Sequence, residues 1–487
     1  MRVHFTGISG TGMGALALLF REAGHEVRGS DMAFDPPIGP ALENAGIPLL
    51  RGYAAANLDW GPELTVVGNA IRKDNPEATR LRDEGLRAAS MSGALRELFL
   101  TGRRAVAICG THGKTTTSAM VAHLLRKAEL DPGWFIGGVP KNLPAGAAIG
   151  RAKRGLLGNA QNAGGPSPFV IEGDEYDAVY WHKKPKFLDY VGVSPSDIAL
   201  VTSIEHDHID IYPDLESYLG AFRELAAALP GGGLFVGDAS DAHVREVSKG
   251  TAARCVHYAL QGDDTGDVTP TWLGAPSIID DAGNQLFDLY AGGVSVGRFG
   301  MKVPGAHNIR NAVGALAVAA EGFGVPFASL RAALGEFQGV RRRQDLLGEP
   351  GGVRVYDDFA HHPTAVLETL RALRSRHPKG KLFAVFEPRS ATACRAIHQT
   401  QYVGAFGSAD RVLLAPLGRA NVPEAERLDT QKLAHDLGTK ASAEASVDTI
   451  LATLLAEASA GDTVALLSNG AFGGIYTRLM DALKARV

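Results

Sequence analysis

The sequence predicts an α/β protein of three domains, each built around a largely parallel sheet. Short apolar segments rich in β-branched residues alternate with segments in which apolar residues recur at helical spacing. Two turns between a strand and a helix are rich in glycine, and polar clusters follow most of the other strands. Because the strand ends of a parallel sheet share one edge, we expect ligands to bind there. We place the domains at residues 1–101, 102–341 and 342–487.

Composition argues against several classes of protein. The 487 residues are 45% apolar and 21% charged, as in ordinary globular proteins. A net charge of −4 gives no reason to expect nucleic acid or an anionic membrane as a partner. Cys109, Cys255 and Cys394 lie too far apart in sequence for a zinc motif or a disulfide framework. No apolar run approaches the ~20 residues of a membrane span and no signal peptide is apparent, so we predict a cytoplasmic protein.

A glycine-rich turn follows the first predicted strand, at residues 2–6. The turn at 7–14 leads into an apolar helix at 15–20, so its backbone can hold a pyrophosphate at the helix N-terminus. The next strand ends at Asp31, about where dinucleotide-binding folds place the acid that binds ribose. The glycine spacing departs from the strict fingerprint, so a nicotinamide cofactor is one option and a surface turn is another.

The remainder of the first domain is predicted from two further segments. A strand at 64–68 leads into the polar turn that contains Asn69 and Ala70. Residues 80–100 are predicted to form a helix, because their apolar side chains recur at helical spacing. The first domain is then expected to end near residue 101.

The segment 104–117 indicates a phosphate-binding turn. A buried parallel strand is followed by Gly110 and Gly113, and Lys114 opens a helix. Backbone N–H groups and the helix dipole can hold a phosphate, while the lysine reaches the outer phosphates and a threonine hydroxyl binds Mg²⁺. We therefore predict a nucleoside triphosphate site. Ile108 stands where the general P-loop has a glycine, so the match is to a shorter variant, and the alternative is a tight turn with a surface lysine.

Two acidic clusters follow strands of the central domain. A strand at 169–172 is followed by acidic residues to 177, and a strand at 198–204 continues into residues 205–210. We expect these two strand ends to lie beside each other, where Mg²⁺ bound to triphosphate would neutralise the carboxylates. A solvated acidic turn is the alternative for the first cluster. The histidines of the second would suit zinc, but without supporting cysteines the sequence favours magnesium and phosphate.

Polar residues also open a helix near the end of the central domain. His307, Asn308 and Asn311 lie close together there, and asparagine either caps a helix or pairs with an adenine edge. Three arginines at 341–343 suit bidentate phosphate contacts, although a solvated linker explains them equally well. Residues 231–300 are predicted to form short strands and turns, with no chemistry assigned.

The last domain repeats the alternation of strands and helices. Strands are predicted at 353–356, 382–386, 412–415 and 464–467. Since polar residues follow each of them, these residues should open onto one edge of a parallel sheet. They include Asp358, His361, Arg389, Ser390, Asn469 and Gly470.

Six motifs occur in a fixed order along the chain. They are the glycine turn at 7–14, Gly-Thr-His-Gly-Lys-Thr-Thr at 110–116, Glu-Gly-Asp-Glu-Tyr-Asp at 172–177, Asp-His-Ile-Asp at 207–210, His-Asn-Ile-Arg-Asn at 307–311 and Asp-Asp-Phe-Ala-His-His-Pro at 357–363. Over essentially its whole length the chain resembles the ATP-dependent Mur ligase family of peptidoglycan synthesis. The resemblance implies a Rossmann-like UDP-binding N-terminal domain, a P-loop ATPase-type central sheet and a Rossmann-like C-terminal α/β domain.

The resemblance implies an amide ligation that uses ATP and Mg²⁺. The lactyl carboxylate of UDP-N-acetylmuramate attacks the γ-phosphate to give an acyl phosphate, and an incoming amine then displaces phosphate. Tyr176, where the alanine-adding ligase typically has serine, and the basic stretch 181–187 favour the tripeptide L-alanyl-γ-D-glutamyl-meso-diaminopimelate as the amine, in peptidoglycan recycling. The alternative is UDP-N-acetylmuramate–L-alanine ligase activity. Small-molecule partners and a monomer or weak homo-oligomer are expected.

The resemblance also assigns roles, residue by residue, to positions that match the family motifs. For metal these are Thr115 and Glu172, which would hold one Mg²⁺, and His208, which would hold a second. For ATP they are Gly110, Thr111, His112, Gly113, Lys114, Thr115, Thr116, His307, Asn308, Asn311, Arg343 and Asp358. For the UDP-sugar they are Gly10, Thr11, Gly12, Met13, Asp31, Asn69 and Ala70, and for the peptide Arg389, Ser390, Asn469 and Gly470. The catalytic candidates are Lys114, Arg343, His208 and His361, the two histidines being alternatives for the general base.

Some features depart from the family pattern. Residues 146–167 resemble an insertion, Gly173 stands where the family usually has alanine, and Gln344 stands where the alanine-adding ligase usually has phenylalanine. The insertion has no assigned role, and neither of the two substitutions removes a charge from the implied chemistry. A dehydrogenase would leave the P-loop and both acidic clusters unexplained, and a guanine-specific switch would need an Asn-Lys-x-Asp motif, which the sequence lacks.

Overall fold

Three sheets succeed one another along the chain in the computed structural model, which describes residues 1–150, 166–419 and 422–486. All three are wholly or mainly parallel, so the predicted α/β class is confirmed. Most of the insertion predicted at 146–167 lies outside the described residues. Among the helices of the described ranges, none is both long and apolar enough to cross a membrane.

The N-terminal sheet is fully parallel. Its strands are β1 (Arg2–Thr6), β2 (Glu26–Asp31), β3 (Leu49–Arg51), β4 (Leu64–Val67) and β5 (Ala88–Ser90), and its helices are α1 (Thr11–Glu22), α2 (Ile38–Asn44), α3 (Pro76–Asp83) and α4 (Met91–Leu95), which a π-helical turn (Arg96–Leu100) extends. The strand order is β3-β2-β1-β4-β5. The single helix predicted at 80–100 is wrong. Gly85, in the left-handed region at φ 64°, ends α3. The chain then forms β5, at the edge of the sheet, before α4 begins.

A buried carboxylate links the strands of this sheet to α3. Glu77 is fully buried and accepts hydrogen bonds from Thr6 Oγ1 at 2.6 Å and Ser30 Oγ at 2.8 Å. His4 Nε2 lies 3.1 Å from the same oxygen, and Asn57 Nδ2 donates to the other at 2.7 Å. Burial by itself raises the pKa of Glu77, but these partners outweigh burial and hold the pKa below its ordinary value of 4.5.

Replacing Glu77 with glutamine should lower the free energy of unfolding by about 1.5–3 kcal/mol near neutral pH, because a buried, hydrogen-bonded charge is lost. A pKa that is lower in the folded state stabilises the protein above the unfolded value, and that stabilisation is lost as the pH falls through the folded value. The free energies of unfolding of the wild type and Glu77→Gln, measured with denaturant, should therefore differ less as the pH is lowered from neutral to acidic values. Glu43→Gln, at an exposed position of α2, is the control, and a pH-independent difference would contradict the explanation.

The central sheet is the largest. Its strands are β6 (Arg104–Cys109), β7 (Gly133–Phe135), β8 (Ala147–Ala148), β9 (Pro168–Glu172), β12 (Ile198–Val201), β13 (Leu234–Asp238), β14 (Arg254–Leu260), β15 (Trp272–Ile279), β16 (Gln285–Ala291) and β17 (Val294–Met301), while β10 (Asp177–Val179) and β11 (His182–Pro185) form a separate hairpin. Its helices are α5 (Lys114–Lys127), α6 (Leu215–Ala228), α7 (Ala242–Ser248), α8 (Ala306–Phe323) and α9 (Phe327–Glu336). The strand order is β17-β16-β15-β14-β13-β12-β6-β9-β7-β8.

Two expectations about the central sheet are corrected. β6 pairs with β9 on one side and β12 on the other, so the two acidic strand ends flank the P-loop strand instead of lying beside each other. The segment 231–300, predicted as short strands and turns, contains α7 and strands of up to eight residues. Local periodicity does not report which strands pair, since that depends on crossover connections between distant segments.

The C-terminal sheet carries the remaining elements. Its strands are β18 (Asp345–Gly348), β19 (Arg354–Asp358), β20 (Leu382–Phe386), β21 (Arg411–Leu414), β22 (Ala441–Ala443) and β23 (Thr463–Leu467). Its helices are α10 (Pro363–Arg376), α11 (Gln399–Ala405), α12 (Thr430–Leu437), α13 (Val447–Glu457) and α14 (Ile475–Lys484). The order is β18-β19-β23-β20-β21-β22, with only β18 antiparallel among these strands. The polar residues that follow the parallel strands therefore share one edge.

A buried apolar core runs from the N-terminal sheet into the central sheet, and Arg96 secures this junction. Its guanidinium donates to the backbone carbonyls of Asp189, Val191 and Gly192, each at 2.9 Å. Ser92 Oγ donates to the Asp189 carboxylate at 2.6 Å. These hydrogen bonds fix the orientation of the first sheet relative to the second.

Candidate active site at the strand ends

The P-loop depends on glycine at two positions. Gly110 and Gly113 have φ values of 118° and 81°, in the region that favours glycine. A Cβ at Gly110 would lie 2.3 Å from Thr202 Oγ1, and one at Gly113 would lie 2.4 Å from Asn311 Oδ1. No side chain caps the N-terminus of α5, so its first N–H groups remain available to an anion.

Lys114 begins α5 with its ammonium group largely buried. Its Nζ donates to Gly110 O at 2.6 Å and lies 2.7 Å from Glu175 Oε1. Burial alone lowers the pKa of Lys114, but the carboxylate of Glu175 more than offsets this effect and raises the pKa above its ordinary value. The loop therefore holds a permanent positive charge beside its free backbone N–H groups.

An oxygen-rich cluster lies on the other side of the loop. Thr115 Oγ1 donates to Glu172 Oε1 at 2.7 Å, and the second carboxylate oxygen accepts from the N–H of Gly137 at 2.7 Å. A hydroxyl and a carboxylate are ligands that Mg²⁺ prefers, so these residues fit that ion. His208, in the left-handed region at φ 54°, places Nε2 3.7 Å from Glu175 Oε2. Glu175 thus connects His208 to Lys114.

A cavity of about 460 Å³ opens beside the P-loop, within the size range of small-molecule sites. Of the residues assigned to ATP, it is lined by His112, Gly113, Thr115, Thr116, His307, Asn308, Asn311, Arg343 and Asp358. Gly110, Thr111 and Lys114 are not among the lining residues of this cavity, but they belong to the same loop.

The C-terminal sheet closes one side of the cavity. Arg343 Nη2 donates to Thr115 Oγ1 at 3.3 Å, and its guanidinium stacks 4.8 Å from the Phe359 ring centroid. Asp358 accepts hydrogen bonds at 2.7 Å from the N–H groups of Gln344 and Ala360, while burial raises its pKa. These two hydrogen bonds hold the Asp358 carboxylate beside the cavity.

The two candidate bases occupy different surroundings. Burial lowers the pKa of His361, although the nearby charge of Asp207 opposes that shift, so its imidazole is neutral at physiological pH. Asp207 accepts a hydrogen bond from Thr392 Oγ1 at 2.6 Å, which joins the central and C-terminal sheets. His208 instead contacts the ring of Tyr176, with centroids 4.5 Å apart.

Residues assigned to the UDP-sugar meet at the ends of three adjacent strands. Gly10, Thr11, Gly12 and Met13 follow β1, Asp31 ends β2, and the exposed Asn69 and Ala70 follow β4. Asp31 accepts from the N–H of Ser9 at 2.8 Å and from Tyr53 Oη at 3.1 Å. The carboxylate therefore stabilises the glycine-rich turn.

Residues assigned to the peptide follow the paired strands β20 and β23. Arg389 is 43% exposed, and its Nη1 lies 3.6 Å from Glu387 Oε1. A Cβ at Gly470 would lie 2.2 Å from Arg389 Cδ, so glycine allows the arginine to pack against that loop. Ser390 Oγ accepts from the N–H of Ala393 at 2.9 Å, and Asn469 Oδ1 is buried without a hydrogen-bond partner among the described residues.

Models of known protein families match successive parts of the chain. They are "Mur ligase family, catalytic domain" at residues 2–103, "Mur ligase middle domain" at 108–319 and "Mur ligase, glutamate ligase domain" at 342–470. The chain belongs to the Mur ligase family. Mur ligases are ATP-dependent enzymes that form amide bonds, which confirms the predicted enzyme class.

Individual Mur ligases resemble the chain over its whole length. The UDP-N-acetylmuramate–L-alanyl-γ-D-glutamyl-meso-2,6-diaminoheptandioate ligase of Escherichia coli K12 is 36% identical over 484 residues, or 99% of this chain and 98% of that protein. The UDP-N-acetylmuramate–L-alanine ligase of Paenarthrobacter aurescens TC1 is 36% identical over 478 residues, which are 96% of this chain and 94% of that protein. A crystal structure of a murein peptide ligase from Psychrobacter arcticus has a TM-score of 0.70 at 30% identity and covers 100% of this chain and 99% of that one.

Sequence reasoning missed several residues that line the cavity of this Mur ligase. Thr364 and Glu368 are four residues apart on α10, and this spacing places both on the helix face that lines the cavity. Because α10 directly follows the motif at 357–363, that motif could have pointed to this face. Glu205 begins the second acidic cluster, but only His208 of that cluster received a role. Tyr258, on β14, also lines the cavity, but no motif in the sequence pointed to it, because the pattern of that region predicted only short strands and turns.

Proposed function

We propose that this Mur ligase joins UDP-N-acetylmuramate to the tripeptide L-alanyl-γ-D-glutamyl-meso-diaminopimelate. The observation that carries this proposal is the full-length 36% identity to the Escherichia coli ligase whose name states that reaction. Tyr176 and the basic stretch at 181–187 support the same choice. Since an alanine-adding ligase reaches the same identity, addition of free L-alanine is the second candidate.

The reaction requires phosphoryl transfer followed by acyl transfer. A carboxylate oxygen of UDP-N-acetylmuramate bonds to the γ-phosphorus of ATP as the bond to ADP breaks. The peptide amine then bonds to the carbonyl carbon of the acyl phosphate, loses a proton and releases phosphate. In our proposal Lys114 and Arg343 neutralise charge that develops on the phosphoryl oxygens, which is the main requirement of this chemistry. His307, Asn308 and Asn311 hold the nucleotide base, and Asp358 holds its ribose.

The three units are proposed to divide the substrates among them. Residues 1–101 take the UDP-sugar at their glycine turn, 102–341 take ATP, and 342–487 take the peptide. The proton of the amine is accepted by His361, whose lowered pKa keeps it neutral, or by His208. Correct alignment of substrates held on separate units supplies much of the rate enhancement in such a ligation.

Thr115 and Glu172 are the proposed ligands of one Mg²⁺ and His208 of a second, and Mg²⁺ neutralises phosphate charge when bound. Glu172→Gln should raise the Mg²⁺ concentration needed for half-maximal rate by about tenfold, because one charged oxygen ligand becomes neutral. Steady-state rates measured across a range of Mg²⁺ concentrations test this expectation. Glu224→Gln, an exposed carboxylate on α6, is the control, and an unchanged Mg²⁺ dependence in Glu172→Gln would remove Glu172 from the site.

The proposed function is tested with purified enzyme, ATP, Mg²⁺ and UDP-N-acetylmuramate. The tripeptide and free L-alanine are supplied in separate reactions, and phosphate release and the UDP-linked product are measured. We expect product mainly with the tripeptide. A preference for L-alanine would establish the second candidate, while no product with either amine would contradict both.

A further inference from the structure

A cluster of two histidines and one carboxylate joins the central sheet to the C-terminal sheet. His112 lies in the P-loop, Glu205 follows β12, and His362 precedes the first turn of α10. Glu205 Oε2 lies 3.3 Å from His112 Nε2 and 3.5 Å from His362 Nδ1. One ligand atom from each of the three residues lies within 4.8 Å of the other two. None of these side chains has a role in the proposed magnesium site.

The donor set of this cluster suits a transition metal. Imidazole nitrogens bind Zn²⁺, Co²⁺ and Ni²⁺ well, whereas Mg²⁺ is bound mainly through oxygen, so a site with two imidazoles and one carboxylate favours a transition metal. Zinc bonds to nitrogen and oxygen of about 2.0–2.2 Å put neighbouring ligands of a tetrahedral site about 3.3–3.5 Å apart. The two distances to Glu205 match this spacing, and the nitrogens of the two histidines, which lie within 4.8 Å of each other, would approach as the ion binds.

The surroundings hold the ligands in place. His362 is 7% exposed, and its ring packs between those of His112 and His398, with centroids 4.8 Å and 4.6 Å away. Its Nδ1 accepts the N–H of Thr364 at 3.4 Å, a contact that metal binding would replace, and its buried Nε2 has no hydrogen-bond partner among the described residues. Thr364 Oγ1 donates to Glu205 Oε2 at 2.7 Å, which is the kind of outer contact that orients a ligand carboxylate.

We propose that His112, Glu205 and His362 bind one transition-metal ion, with Zn²⁺ as the representative. A fourth coordination position would face the cavity, since His112, Glu205 and Thr364 all line it. Because the ligands come from both sheets, the bound ion stabilises the arrangement of the P-loop against α10. This site is separate from the proposed magnesium ligands and does not depend on which amine the enzyme accepts.

The test is metal binding to the full-length protein without nucleotide and with any histidine tag removed. Calorimetry with Zn²⁺ should give one site per chain, and bound Co²⁺ should show the visible bands of a four-coordinate ion. His112→Gln and His362→Gln should each weaken Zn²⁺ binding by about 100-fold or more, since loss of a ligand exceeds the loss of an outer-shell partner. Zn²⁺ should raise the unfolding temperature of the wild type more than that of either variant.

Two variants serve as matched controls. Glu172→Gln tests whether Zn²⁺ occupies the proposed magnesium site instead, and His435→Gln replaces a histidine that is 89% exposed. Both should bind Zn²⁺ as the wild type does. Equal affinity in the wild type and His112→Gln, whose side chain is partly exposed, would overturn the proposal. The proposal would also be overturned if Glu172→Gln lost Zn²⁺ binding while His112→Gln and His362→Gln retained it.

Discussion

Replacing Lys114 with alanine should lower the rate of ligation by about 100- to 1,000-fold, the usual effect of removing one group that stabilises developing charge. The ammonium group lies within the P-loop, where it donates to Gly110 O, and the mutation removes it. Acyl-phosphate formation, followed as ATP-dependent phosphate transfer to UDP-N-acetylmuramate, should fall by a similar factor. Turnover close to that of the wild type would contradict the P-loop assignment.

Two further variants separate chemistry from stability in that experiment. Lys114→Ala leaves the buried Glu175 without its cation, so the double variant Lys114→Ala/Glu175→Gln removes both charges. It should recover stability but not activity. Lys127→Ala, at the other end of the same helix, removes an exposed lysine and should leave the rate unchanged.

Replacing Arg389 with alanine should raise the Michaelis constant for the tripeptide about tenfold or more, since a charged hydrogen bond contributes about 1.5–3 kcal/mol. The tripeptide carries carboxylates that free L-alanine lacks, and Arg389 is a partly exposed cation beside the glycine loop at 469–474. The constants for ATP and UDP-N-acetylmuramate should change little. Initial rates with each substrate varied in turn provide the measurement.

The control for this variant is Arg374→Ala, an arginine that pairs with Asp410 at the opposite edge of the same sheet. It should leave all three Michaelis constants near those of the wild type. The alternative is that Arg389 acts only through Glu387, in which case Glu387→Gln would reproduce the full effect of Arg389→Ala. The contact joins an arginine that is 43% exposed to a carboxylate that is only 9% exposed, and its length of 3.6 Å is beyond that of a hydrogen bond, so we expect a much smaller effect of Glu387→Gln.

Much of the fold could be predicted because its signals are local. The strand at 382–386 was predicted with the bounds that the structure shows, since a short apolar run flanked by polar residues indicates a buried strand. The glycine turn before α5 was predicted from a short local motif. In the structure Gly110 and Gly113 are required there, because a Cβ at either position would clash with neighbouring atoms. The helix predicted at 80–100 failed because a single glycine, Gly85, interrupts a pattern that otherwise continues.

The sequence by itself determined the three-part α/β plan, the glycine-rich turn before α5 and the family, since each depends on short motifs and on the order in which they occur. Only the tertiary structure decided that β6 lies between the two acidic strand ends, and that His112, Glu205 and His362 meet. These contacts join segments far apart along the chain. They depend on how the sheets pack and on which strands pair, and no local pattern of residues records that choice.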